Sequence, residues 1–209
     1  MDEDLDLLGA VEADIVADAP IAPTLRRVIL LGGRAGSSPL RDWAARELNG
    51  YDDLADLPRY RRIPSAICVD ATVGNTWRKG YVISPNVLPE YAREVFEGGP
   101  TFFQGIGTIE AMAREARQAG GSTRITHRYS MDLCRELDKG SPFQETTALY
   151  WQVTASNLEG IVERVKTVLA ELTGAMRSGT PVGAPLPDSA VVSEAVRAIL
   201  GTAGRSSRT

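Results

Sequence analysis

The stretch from Ser156 to Met176 limits what this chain can fold into more than any other. Leu158, Ile161, Val162, Val165, Val168, Leu169, Leu172 and Met176 recur at intervals of three and four, which draws one continuous apolar stripe along an α-helix. Ser156 and Glu159 match the S-x-x-E capping box that opens such a helix. At 1.5 Å per residue the helix expected over 157–177 is about 30 Å long, and a stripe of that length must be covered by a second layer. Period-two segments supply one. Ile67, Val69, Ala71 and Val73 alternate with Cys68, Asp70 and Thr72, Gly74-Asn75 makes a turn, and Trp77 to Ile83 continues as a second strand. Ser122 to Arg128 reads as a third strand, with Thr123, Ile125 and His127 alternating against Arg124, Thr126 and Arg128, and Thr146 to Thr154 as a fourth. The expected class is α+β, a small and mostly antiparallel sheet of about four strands covered by amphipathic helices.

The remaining segments carry helical periods. Leu5, Leu8, Val11, Glu12, Ile15 and Val16 mark a first helix within Asp2 to Asp18, broken by Pro20 and Pro23. Thr24 is expected to cap a second helix, with Leu25, Val28, Ile29, Gly32 and Ala35 on one face and Gly36 as its stop. Pro89 opens a short helix that turns Tyr91, Val95 and Phe96 to the core, and Ser130 caps another containing Met131, Cys134 and Leu137. Two glycine patterns invite a nucleotide reading. VILLGGRAGSSPL has the outline of a phosphate-binding loop but lacks the lysine that reaches the outer phosphates. Gly105-Ile106-Gly107 lacks the third glycine and the preceding strand of a dinucleotide fingerprint, and Ile106, Ile109, Met112, Ala113 and Ala116 suit a helix from 106 to 119. Residues 1–178 are expected to form a single domain. Residues 179–209 are expected to form a linker rich in Pro, Gly and Ala, with a short helix over Ala190 to Leu200 and a disordered GTAGRSSRT tail.

Charge narrows the function classes. A net charge of -4 gives no surplus of positive charge to drive nonspecific binding to nucleic acid or an anionic membrane, although a local basic patch stays open. No apolar run approaches the ~20 residues of a bilayer span, and the acidic start MDEDLD is unlike a signal peptide, so a cytoplasmic protein is expected. Cys68 and Cys134 are too few for a disulfide framework, and the single histidine, His127, leaves no metal-ligand spacing. No metal and no cofactor are expected. A protein partner is the interaction that the amphipathic terminal helices favour, with the oligomeric state left open.

The stretch Pro39 to Tyr60, PLRDWAARELNGYDDLADLPRY, carries the candidate site. Pro39 after Ser37-Ser38 starts a helix, with Leu40, Trp43, Ala44 and Leu48 inward and Arg41, Asp42, Arg46 and Glu47 outward. Asn49-Gly50 ends it in a left-handed turn, with Tyr51 placed for an apolar contact back onto the last turn. Glu47, Asn49, Tyr51, Arg59, Tyr60 and Arg61 gather across a helix end and a loop, where functional groups commonly sit. Arg59, Arg61 and Arg62 could hold a phosphate. Equally, the arginines could neutralise Asp52, Asp53 and Asp56.

Trp43, then Glu47-Leu48-Asn49-Gly50-Tyr51, then Leu57-Pro58-Arg59-Tyr60-Arg61, resembles the signature of the AbiTii family of bacterial abortive-infection domains. Leu25 to Gly36 is similar to that family's preceding helix and Gly160 to Met176 to its closing helix, so the resemblance covers most of residues 5–178. It implies a role in phage defence, as a toxin or a component beside one, and it brings no catalytic residues with it.

Overall fold

In the computed structural model, which describes residues 6–139, 141–181, 184 and 186–203, the period-two segments pair as one antiparallel sheet of order β2-β1-β4-β3. The strands are β1 Ala66–Val73, β2 Thr76–Ile83, β3 Ser122–Ile125 and β4 Gln144–Thr154. The helices are α1 Leu7–Val16, α2 Ile21–Arg34, α3 Ser38–Asn49, α4 Glu90–Glu97, α5 Ile106–Gln118, α6 Ser130–Asp138, α7 Ala155–Gly179 and α8 Ser189–Ala203. The fold is α+β. By packing, the chain divides into two compact units. The first comprises residues up to Tyr60, Phe103–Ala111 and those from Glu159 on. The second comprises Arg61–Phe102 and Met112–Leu158.

The second unit contains the sheet. β1 and β4 are central because both bury residues on each face, Cys68 and Asp70 as well as Ile67 and Val69 in β1, and Tyr150 as well as Leu149 and Trp151 in β4. β2 is an exposed edge whose Arg78 and Lys79 discourage further pairing. The register slips between Val69 and Ala71 against β2 and between Asp70 and Ala71 against β4, which places an irregularity on either side of one acidic residue. On the opposite face Phe96 of α4 stacks on Trp151 at 4.5 Å, and the indole N–H donates to the Phe96 carbonyl at 3.0 Å.

The first unit is helical. α2 starts at Ile21, after Pro20, rather than at Thr24, because Pro23 falls in the first turn, where no backbone N–H is needed. Thr24 is buried and its hydroxyl donates to Asp14 of α1 at 3.0 Å. α2 and α3 approach closely at Gly32, where a Cβ would lie 2.9 Å from the Arg41 nitrogen. The glycine of the apparent phosphate loop is thus a helix-packing residue. α7 buries its whole apolar stripe from Leu158 to Met176, and Arg177 ties its end to α1 through two bonds to Glu12, at 2.8 and 2.6 Å.

Several local expectations need correction. α7 begins two residues early and is capped not by Ser156 and Glu159 but by Thr154 and Asn157, whose side chains each accept the other's backbone N–H, at 3.2 and 3.3 Å. β3 stops at Ile125, so His127 lies in the turn before α6 rather than on a strand. Ser130 is the first residue of α6, and its Oγ accepts the His127 N–H at 3.0 Å. Tyr91 and Val95 are exposed, Tyr91 by 69%, because they edge a surface opening instead of filling the core, and Met131 is exposed as well. Ile29, Leu48, Met112 and Leu137 are only partly covered. α8 runs on to Ala203, while the expected start at Asp2 to Leu5 and the tail from Gly204 lie outside the described residues.

Candidate functional site

α3 builds the first part of the site. Ser37 caps it, with Oγ accepting the Leu40 N–H at 3.4 Å, and Pro39 sits in the first turn. Leu40, Trp43 and Ala44 are buried as their spacing predicts, but Glu47 is buried with them, at 0% exposure. The outward placement of Glu47 with Arg41, Asp42 and Arg46 is therefore wrong. The physical reason lies downstream. The hydroxyls of Tyr51 and Tyr60 both donate to Glu47 Oε1, that of Tyr60 at 2.5 Å, and a carboxylate so bonded can be enclosed.

Gly50 makes this convergence feasible. Its backbone, at φ 110° and ψ 177°, lies in a region open essentially to glycine alone, rather than in the left-handed helical turn expected. A Cβ there would stand 2.6 Å from the Phe103 carbonyl oxygen. This path lets Gly50 bridge to Gln104 and the Tyr51 N–H donate to Phe103 at 2.8 Å. Tyr51 is then aimed back along α3, where its hydroxyl reaches Glu47.

Past Tyr51, Asp53 caps a 3-10 turn at Leu54–Asp56 by accepting the Ala55 N–H at 2.9 Å. Asp56 of this loop is met by Arg46 of α3, at 3.4 Å in solvent. Between this loop and α3 lies an open cavity of about 270 Å³. Trp43, Asp56, Leu57, Pro58, Arg59 and Tyr60 line it, with Val168 of α7 and Leu200 of α8 completing its wall.

The candidate residues thus part company. Glu47, Tyr51 and Tyr60 meet in one hydrogen-bonded knot, and Tyr60 also faces the cavity. Arg59 is exposed on the cavity's edge, and Asn49 is exposed at the end of α3. Arg61 belongs to the second unit and is fully buried, its carbonyl accepting the Phe102 N–H at 2.8 Å. Arg62 donates to the carbonyls of Gly98 at 3.0 Å and Glu94 at 3.4 Å, at the C-terminal end of α4. Three arginines within four residues of sequence therefore occupy three separate settings.

A second cluster, in the sheet, escaped sequence reasoning. Asp70 is buried in β1, where its carboxylate accepts the Gly80 N–H at 2.7 Å, the Tyr150 hydroxyl at 2.9 Å and Arg124 Nη1 at 2.6 Å. Burial pushes its carboxyl pKa up, but these three donors outweigh burial and hold it below the ordinary value. Burial and the bond to Asp70 push the Tyr150 phenol up to about 12. Burial raises the Cys68 thiol as well, which leaves it an inert neighbour. The one available signal was an aspartate in the middle of an otherwise apolar strand, AICVDATV.

In neither place does the arrangement resemble a nucleophile with its base. Glu47 is enclosed, and Asp70 is saturated with donors. Among the described residues no group of three or more His, Cys, Asp or Glu could hold a metal ion, and no helix is long and apolar enough to cross a membrane. The polar groups that line the cavity are the Arg59 guanidinium, the Tyr60 phenol and the Asp56 carboxylate. The sequence model of the AbiTii family matches residues 6–197, which includes both clusters. No curated protein and no solved structure matches the chain.

Proposed function

The chain belongs to the AbiTii family, and from that premise we propose that it acts in abortive infection as an effector that engages its target through the cavity edged by Arg59 and Tyr60. One arrangement supports this reading. The residues that resemble the family's signature divide between a buried knot, Glu47 with Tyr51 and Tyr60, and an open wall, Leu57-Pro58-Arg59-Tyr60. The knot holds the loop to α3 and the wall lines the cavity. A guanidinium can pair with an anionic or strongly accepting group on the target, while Trp43 and Pro58 take its apolar part. Leu54, exposed by 65% on the same loop, favours a second reading, a non-enzymatic module that docks on a protein of the same defence system.

The test is growth of a phage-sensitive bacterial host with inducible wild-type protein, Arg59→Glu or Leu54→Asp, with and without phage, each variant first checked for an unchanged melting temperature. An effector acting through the cavity arrests growth or limits phage, and Arg59→Glu relieves the effect. Full activity in a folded Arg59→Glu variant would remove the cavity from the mechanism. Loss on Leu54→Asp alone would transfer the role to docking.

A further inference from the structure

A second cavity, of about 360 Å³, opens in the unit that contains the sheet, and its argument is independent of the function proposed above. Ala92, Phe96 and Leu133 are buried and form an apolar floor, while Tyr91, Tyr129 and His127 supply aromatic walls. Asp132 also lines the opening. This volume lies in the range of small-molecule sites, and a mostly apolar lining with a few fixed polar groups is their usual composition.

His127 is the chain's single histidine, and it is held firmly. Its ring lies 5.8 Å from that of Phe96, 6.0 Å from Trp151 and 5.2 Å from Tyr129. Nδ1 accepts the Tyr129 N–H at 3.3 Å. A neutral imidazole that accepts at Nδ1 carries its proton on Nε2. Burial, and then the charge of Arg128, lower its pKa, so the neutral form prevails at pH 7. Among the described residues nothing hydrogen-bonds to Nε2. The cavity wall therefore presents one oriented donor, and the Asp132 carboxylate provides an acceptor that it shares with Arg135 at 3.0 Å.

We propose that this cavity binds a planar, amino-substituted nitrogen heterocycle, the chemistry of an adenine-type or cytosine-type base. The ring lies against the aromatic walls, a ring nitrogen accepts from His127 Nε2–H, and the exocyclic amine donates to Asp132. Two alternatives fit less well. A purely apolar side chain would leave the Nε2–H without an acceptor once water is displaced. An organic cation would meet a single carboxylate already paired with Arg135, and beside it a Tyr129 face that Arg128 covers at 4.7 Å.

With only one histidine, the imidazole signals of the ¹⁵N-labelled full-length protein are assigned without ambiguity. The experiment titrates it with adenine, indole and benzyltrimethylammonium, and measures adenine binding to His127→Gln and His127→Phe by ligand saturation transfer. Adenine should shift the His127 ring nitrogens saturably at roughly millimolar concentration, the range for a ligand of this size. Indole should bind about tenfold more weakly. His127→Gln, which keeps a donor, should bind within about threefold of wild type, and His127→Phe, which keeps the flat wall but no donor, about tenfold more weakly. Three outcomes overturn the proposal: no saturable shift, indole or the ammonium binding as tightly as adenine, or a folded His127→Phe variant that binds as wild type does. Should both variants fail to fold, the ranking of the three probes on wild-type protein decides alone.

Discussion

Glu47 and Asp70 are both buried carboxylates, and the protein encloses them by opposite means. Glu47 is satisfied by tyrosines four and thirteen residues further along the chain, within one helix end and its loop. Asp70 draws its donors from ten, fifty-four and eighty residues away, and needs all three other strands of the sheet to collect them. The first is a local device written into one stretch of sequence. The second exists only once the sheet has formed. An acid of either kind is a poor candidate for chemistry on a substrate, because it is already committed to its donors.

The sharpest way to break the comparison is to remove each acid. Glu47→Ala leaves two phenols facing an interior without their acceptor and should cost about 3 kcal/mol in urea unfolding, against about half that for Glu47→Gln, which keeps the shape and one acceptor. Asp70→Asn should cost about 1–2 kcal/mol at pH 7, less than Glu47→Ala because Arg124 is half exposed and can turn to solvent. It should also change the pH profile. The Asp70 carboxyl is depressed in the folded protein, so its contribution is fully present above about pH 4 and is lost as pH falls through the folded-state value. Stability measured from pH 2 to pH 7 should therefore fall less steeply at the acid end in Asp70→Asn than in wild type. At the other end the raised Tyr150 gives stability that is complete below pH 10 and lost as pH rises toward about 12. Arg46→Ala, which breaks the exposed pair with Asp56 and an exposed bond to the Asp42 carbonyl, should stay within about 0.5 kcal/mol by the same measurement.

The same contrast explains what could be read from the sequence. The sheet hairpin at Gly74-Asn75, the stripe of α7 and the start of α3 at Ser37 and Pro39 are set by neighbours a few residues away, so periodicity and capping chemistry reveal them. Glu47, Tyr51 and Tyr60 were singled out together for the same reason, although the orientation of Glu47 was misjudged: helical spacing places it beside Trp43 and Ala44 as readily as beside Arg46, and only the tyrosines decide. The Asp70 cluster and the Tyr91 opening depend on pairings between distant segments. A charged residue in an apolar strand signals that a partner exists without saying which. Arg61 shows the limit most plainly, because its neighbours Arg59 and Arg62 are exposed while it is wholly enclosed, and nothing within three residues distinguishes them.

The most direct measurement is a double-mutant cycle on Tyr51→Phe and Tyr60→Phe, read by urea unfolding. Two hydroxyls sharing one oxygen of a buried carboxylate should each be worth about 1 kcal/mol and should not be additive, with a coupling of about 0.5 kcal/mol or more. If both single variants are neutral and their effects simply add, Glu47 does not join the loop to α3, and the separation of a structural knot from an open cavity fails.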